Sequence, residues 1–289
     1  MGLFFSSDRF TRPGPGVRPD APRKKGVARL AEIMGRDMWN FFRAGFLAFL
    51  GCLPFIIGMF FAVETHALLF MLLAGIIGGL IAGPELSAMA DTVLRSLRDE
   101  PGYWWETYRR VWKRNARESL VPGMLTGLVL SMQIFTLFHM SVISAGIVTW
   151  ALLILSFVVT LGLESYIWPQ IALLDLPLYG ILKNSLLLFL GYLPRSLGAI
   201  AIKAVYWGAI LLFFPLTTII LPFTNFWLPM LPALLCIYQP LNKCFTIEST
   251  INKMREDELN AALAKDNEPL PEDPTEKAEE STEASSDVQ

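Results

Sequence analysis

The sequence predicts an all-α polytopic membrane bundle. It would have six transmembrane helices arranged as three hairpins, amphipathic interfacial helices, and both termini in the cytoplasm. Three observations lead there. Hydrophobic residues make up 53% of the chain and the mean hydropathy is +0.46, more apolar than a soluble protein with a polar surface. Six apolar stretches, roughly 39–62, 67–90, 120–140, 142–172, 200–221 and 226–241, suit a bilayer core about 30 Å thick, which takes about 20 apolar residues per helix. The cations alternate between the stretches. Eight precede the first (Arg9 to Arg36), seven lie between the second and third (Arg95 to Arg117), Lys183, Arg195 and Lys203 follow the fourth, and five follow the sixth (Lys243 to Lys277). Arg43 lies about one turn inside the first. The intervening loops 63–66, 139–142 and 222–225 hold none. The positive-inside rule then puts both ends in the cytoplasm.

The chain divides into three parts. Residues 1–25 form a basic lead rich in Arg, Pro and Gly, expected to lack fixed structure. Gly2 and Ser6 fit the myristoylation pattern, but a six-span protein needs no lipid anchor. Residues 26–250 form the membrane domain. Residues 251–289 give a short polar helix to about Lys265 and then an acidic disordered tail. From Glu256 to the end there are twelve acidic residues and two lysines, a net of −10; the whole chain is −2, so the rest is −2 − (−10) = +8. That positive charge would face an anionic leaflet. Cys52, Cys236 and Cys244 imply no disulfide framework. The first apolar stretch starts too late for a cleavable signal.

At the start of the membrane domain, Leu30, Ile33, Met34 and Met38 recur at helical spacing. Residues 26–37 therefore read as an amphipathic helix lying on the cytoplasmic face before the chain turns inward. The loop after the second span interleaves Tyr103, Trp104, Trp105, Tyr108 and Trp112 with Arg109, Arg110, Lys113 and Arg114. Rings favour the headgroup layer and cations favour anionic lipid, so this reads as an interfacial helix. The sharper alternative is a docking surface for a partner. The stretch 176–195 is bounded by prolines and too short to span, which suggests another surface or re-entrant helix. Asn40, Asn115 and Asn184, each followed by a proline (Pro54, Pro122, Pro194), give a faint threefold echo consistent with three hairpins.

Gly75, Gly79 and Gly83 line one face of the second span, and Gly123 and Gly127 repeat the spacing in the third. Small residues so placed let backbones approach, within the bundle or in a homo-oligomer. Charges near the spans are costly and therefore informative. Arg43, Glu85 and Glu164 fall at similar depth on the cytoplasmic side. They read as one polar cluster, either bracing the helices or flooring a vestibule beside a helix break at Pro84. The bilayer midplane reads as free of ionisable groups, which argues against an ion-coupled transporter. Glu64, His66 and His139 could meet on the outer side as a metal set; the expectation is no metal and no cofactor. The chain lacks the nucleophile-elbow, zincin and phosphate-loop motifs, so catalysis is not expected. Nothing in it suggests a nucleic-acid partner.

The run Arg36-Asp-Met-Trp-Asn-Phe-Phe-Arg-Ala-Gly-Phe-Leu-Ala-Phe-Leu-Gly-Cys-Leu-Pro54-Phe resembles the opening of the YesL-like family, a bacterial domain of unknown function. So does the loop Thr92-Val-Leu-Arg-Ser-Leu-Arg-Asp-Glu-Pro-Gly with Trp105 to Arg114-Asn115 after it. Leu182-Lys-Asn184-Ser-Leu and Leu193-Pro194 are similar to the second half. The likeness covers about residues 26–250. It implies a bacterial cytoplasmic-membrane protein whose relatives are encoded near carbohydrate importers, and it carries over no catalytic residue. The long basic lead and the acidic tail depart from the pattern. The reading that results is a non-catalytic accessory or regulatory component of carbohydrate uptake. Its candidate partners are lipids, the membrane subunits of an ABC importer, or a sensor kinase. The alternatives are a small-molecule carrier with a cytoplasmic-facing vestibule and a lipid-interacting organiser of the membrane.

Overall fold

The computed structural model describes residues 23–100, 102–142 and 146–266, and the described residues are helical with short connections. The helices are α1 (Gly26–Thr65), α2 (Leu68–Leu73), α3 (Gly79–Leu97), α4 (Trp104–Phe138), α5 (Ile147–Leu173), α6 (Leu178–Gly191), α7 (Leu193–Leu212), α8 (Leu221–Thr224), α9 (Trp227–Phe245) and α10 (Ile247–Asp266). A π-helical turn, Ala74–Gly78, joins α2 to α3 and makes one apolar rod of Leu68–Leu97. By length and composition six helices can cross a membrane: Gly26–Thr65, Leu68–Leu97, Trp104–Phe138, Ile147–Leu173, Leu193–Leu212 and Leu221–Phe245. Their outward faces carry Leu, Ile and Phe in the open, among them Phe60, Leu69, Leu152, Ile154 and Val205. In water such a surface would aggregate; against lipid it is the expected one.

Four expectations change. The segment 26–37 is no separate surface helix, because α1 runs unbroken for 40 residues. No proline interrupts it before Pro54, and its arginines are held by the end of α3 as described below. The aromatic–basic segment likewise continues into a span within α4, 35 residues long. The fifth span starts at Leu193, not near residue 200, because Pro194 occupies the first turn of α7, where its missing N–H costs nothing. The helix also runs straight through Pro84, and the departure from α geometry lies earlier, in the π turn. The short helix expected within 176–195 is present as α6.

The tightest packing is between the Leu68–Leu97 rod and α4, in antiparallel register. Gly75 faces Gly127 and Ser131, Gly79 faces Gly123, and Gly83 faces Ser119. A Cβ on Gly127 would lie 2.8 Å from the Cα of Gly79, so the two backbones touch and a larger residue has nowhere to go. The other face of the rod meets α1: a Cβ on Gly78 would lie 2.6 Å from Phe55 Cα, and one on Gly58 would lie 2.7 Å from Ala74 Cβ. The small residues singled out in the sequence thus lie at contacts within the chain. α5 packs on α3, α4, α6 and α7. Trp227, opening α9, stacks on Phe41 of α1 with ring centroids 6.0 Å apart.

The chain forms two compact units, one ending at Pro240 and the other beginning at Leu241. In the second, the Asn242 side-chain oxygen accepts the amide of Glu248 at 2.9 Å, and the hydroxyls of Ser249 and Thr250 donate to the Thr246 carbonyl. These bonds turn the chain into α10, the polar helix expected past residue 250. The basic lead up to residue 22 and the acidic tail from 267 lie outside the described residues.

Candidate functional site

At one end of the bundle the last carbonyls of α3 are met by arginines. A helix C-terminus concentrates partial negative charge on unpaired carbonyls, which cations stabilise. Arg23, Arg29 and Arg36 supply them. Arg29 donates to the Leu97 carbonyl (3.2 Å), Arg36 to the Ser96 carbonyl (2.8 Å) and Arg23 to the Arg98 carbonyl (3.2 Å). Arg29 and Arg36 are two turns apart and share a face of α1. All three arginines also pair with Asp99, which sits just past α3 with φ of 60°. Burial alone would push the Asp99 carboxyl up, but hydrogen bonds from Arg36 and Arg29 outweigh it and hold the group below its ordinary range.

Beside this clamp the aromatic segment splits into two faces. Tyr108, Val111, Asn115 and Ser119 are buried at helical spacing, whereas Tyr103, Trp105, Arg109, Arg110, Trp112 and Lys113 are exposed. Trp104 lies between. The Arg43 guanidinium is 5.0 Å from the Trp39 ring centroid and 5.7 Å from that of Trp104. Cation–π attraction therefore occupies Arg43.

Deeper in the bundle the structure assembles a different set of charges. Glu85 accepts hydrogen bonds from the Tyr108 hydroxyl (2.5 Å) and from Trp112 Nε1 (2.9 Å). Its side chain packs on α1 where residue 51 is glycine; a Cβ there would lie 2.6 Å from Glu85 Cγ. Buried Cys52, the next residue, is within electrostatic reach of both Glu85 and Glu164. Glu164 interacts in turn with Lys203. Lys203 is 8% exposed, and its ammonium donates to Ser165 Oγ at 2.8 Å. No contact ion pair joins Lys203 to Glu164, or Arg43 to either glutamate, among the described residues. The glutamates thus share a neighbourhood, and its cation is Lys203, not Arg43.

The expectation of mid-span segments free of ionisable groups does not hold for α7. Lys203 sits midway along α7, about 15 Å from each end at 1.5 Å per residue. Pro194 carries the sequence signal: a helix that starts there puts Lys203 at its middle, whereas a start near residue 200 puts it at the end. Other polar side chains pair between the helices. Tyr166 and Ser196 share a buried hydrogen bond of 2.9 Å, Gln170 donates to Ser185 at 2.8 Å, and Gln133 on α4 donates to Ser156 and Thr160 on α5.

At the opposite end His66 and His139 do meet, with Nδ1 of the first 2.7 Å from Nε2 of the second. Glu64 is exposed, and no group of three or more metal-binding side chains exists among the described residues.

No family model, no curated protein and no solved structure matches this chain.

Proposed function

We propose that the chain is a carrier for a small polar solute in the bacterial cytoplasmic membrane. Its spans form three hairpins and both termini lie in the cytoplasm. The observation that supports the carrier reading is Lys203, an ammonium held midway along a membrane-length helix beside Glu164 without a contact ion pair. A charge within a membrane-length apolar helix is expensive, faces the bundle interior and by default marks a functional site. An ammonium and two carboxylates offer donors and acceptors together, which suits a polyol or a zwitterion. The resemblance to the YesL-like family favours the polyol. The cation pattern supports the topology, with the arginine clamp in the cytoplasm.

The test is thermal stabilisation of the detergent-purified protein by a panel of mono- and disaccharides and amino acids. At least one class should raise the melting temperature, and the shift should vanish in Glu164→Gln and in Lys203→Met while a Gly208→Ala control keeps it. A panel with no effect, or a shift that survives both substitutions, would sink the carrier reading.

A second reading, an accessory subunit docked through the start of α4, is favoured by one observation. Tyr103 and Trp105 are 86% and 57% exposed beside Arg109, Arg110 and Lys113. Affinity capture from native membrane should then recover an importer's membrane subunits or a sensor kinase, and Trp105→Ala should lose them without unfolding.

A further inference from the structure

The two histidines of this chain lie in different connections, His66 between α1 and α2 and His139 just past α4. Each ends a long helix. His66 takes the left-handed conformation, φ 55°, and stops α1; His139 caps α4. Their rings meet edge to face with centroids 4.9 Å apart.

The hydrogen bonds fix the tautomers. The carbonyl of Phe135 can only accept, and it lies 2.7 Å from His139 Nδ1, so His139 carries its proton there. His139 Nε2 is then a lone pair, and it points at His66 Nδ1, 2.7 Å away. The His139 ring cannot swing aside, because it stacks on Phe135 at 4.0 Å and is 8% exposed. A histidine whose other nitrogen donates to a backbone carbonyl is oriented as metal-ligating histidines are. His66 is the adaptable partner, exposed on a short connection.

We infer that His66 Nδ1 and His139 Nε2 form a two-nitrogen site for a borderline divalent cation such as Zn2+ or Cu2+. Metal–nitrogen bonds of about 2.0–2.1 Å at a tetrahedral angle need the two nitrogens about 3.3 Å apart. Exposed His66 provides that by shifting on the order of 2 Å and turning, so that its Nδ1 lone pair meets an ion seated on the fixed His139 lone pair. The ion displaces the proton on His66 Nδ1, which moves to Nε2 of the same ring, and water completes the coordination. Bound metal would tie the α1–α2 connection to the end of α4 more firmly than the hydrogen bond does. The site stands apart from Glu164 and Lys203 and does not depend on the carrier reading.

The experiment uses the full chain, purified in detergent through a tag other than polyhistidine, stripped with chelator and titrated with CuCl2 and ZnCl2. Electron paramagnetic resonance of the Cu2+ form should show two nitrogen ligands at one equivalent per chain. Zn2+ should raise the melting temperature. His66→Asn and His139→Gln should each weaken binding by about tenfold or more, since even outer-shell changes cost 10- to 100-fold. Unchanged binding in both variants, or a copper spectrum without two nitrogen ligands, overturns the site. The spectrum of the unsubstituted chain decides alone if a variant fails to fold.

Discussion

Lys203 on α7 donates a 2.8 Å hydrogen bond to Ser165 on α5, so the lone ammonium of that helix's middle is tied to the neighbour that carries Glu164. The pairing makes the charges of α5 and α7 interdependent. An uncompensated buried charge costs far more than a missing pair, because the charge left behind keeps its desolvation penalty.

Lys203→Met should therefore destabilise the protein by about 1–3 kcal/mol, because it leaves Ser165 without its donor and Glu164 without its neighbouring cation. Adding Glu164→Gln should recover part of the loss, so the double variant is less damaged than the sum of the singles. Thermal unfolding of the four proteins in one detergent checks this. Additive losses would mean that the two groups do not interact.

Asp99 links the arginine clamp to pH. Its carboxyl titrates below the ordinary value in the folded protein, so the stability it contributes is fully present above about pH 4, the unfolded value. That stability drains away as the pH falls through the lower folded value. Asp99→Asn, which tolerates the left-handed backbone at this position, should melt lower at pH 7, and its disadvantage should shrink as the pH falls below about 4. Melting curves across that range show whether the gap closes; a constant gap would place the effect elsewhere.

Gly79→Val should be among the most damaging single changes, because its side chain would drive into the backbone of Gly123. Overpacking costs about 1–3 kcal/mol where the neighbours can shift, and here they are main chain. Gly208→Ala, on α7 with nothing within 4 Å, should be neutral or gain up to about 1 kcal/mol. Expression yield and a monodisperse gel-filtration peak discriminate the two.

Glu85 depends on two donors from α4. Tyr108→Phe removes the one from a buried side chain, and hydrogen bonds to charged groups are worth about 1.5–3 kcal/mol. Replacing Glu85 with Gln weakens both bonds together, so Tyr108→Phe should cost less in the Glu85→Gln background than alone. A double-mutant cycle by thermal melting measures the difference.

The number of membrane-length helices was legible because it rests on local composition: a long, mostly apolar run with few charges leaves a helix few alternatives. The polar set was harder. Glu85 and Glu164 stood out as charges in apolar runs, and both approach Cys52. Lys203 did not stand out, because with a fifth span starting near residue 200 it reads as one of the cations at that span's cytoplasmic entry. Its position depends on a helix boundary, and Pro194 moves that boundary by seven residues from the expected start. Arg43 lies over two indole rings for a reason no local pattern shows. Spacing alone cannot tell a carboxylate neighbour from two indole faces, and Trp104 reaches Arg43 only through the α3–α4 turn.

The sequence by itself determined what bilayer thickness and helix geometry enforce: six helices able to span, the small-residue faces, and the polar helix after them. Tertiary structure alone decided which charges find each other. Arg29 and Arg36 could have met lipid headgroups, but the free carbonyls at the end of α3 and the Asp99 carboxylate offered better partners within reach. His66 and His139, 73 positions apart in sequence, meet because α1 and α4 end at the same level. Contacts of that kind depend on how helices dock, which is written in long-range packing and not in any local window.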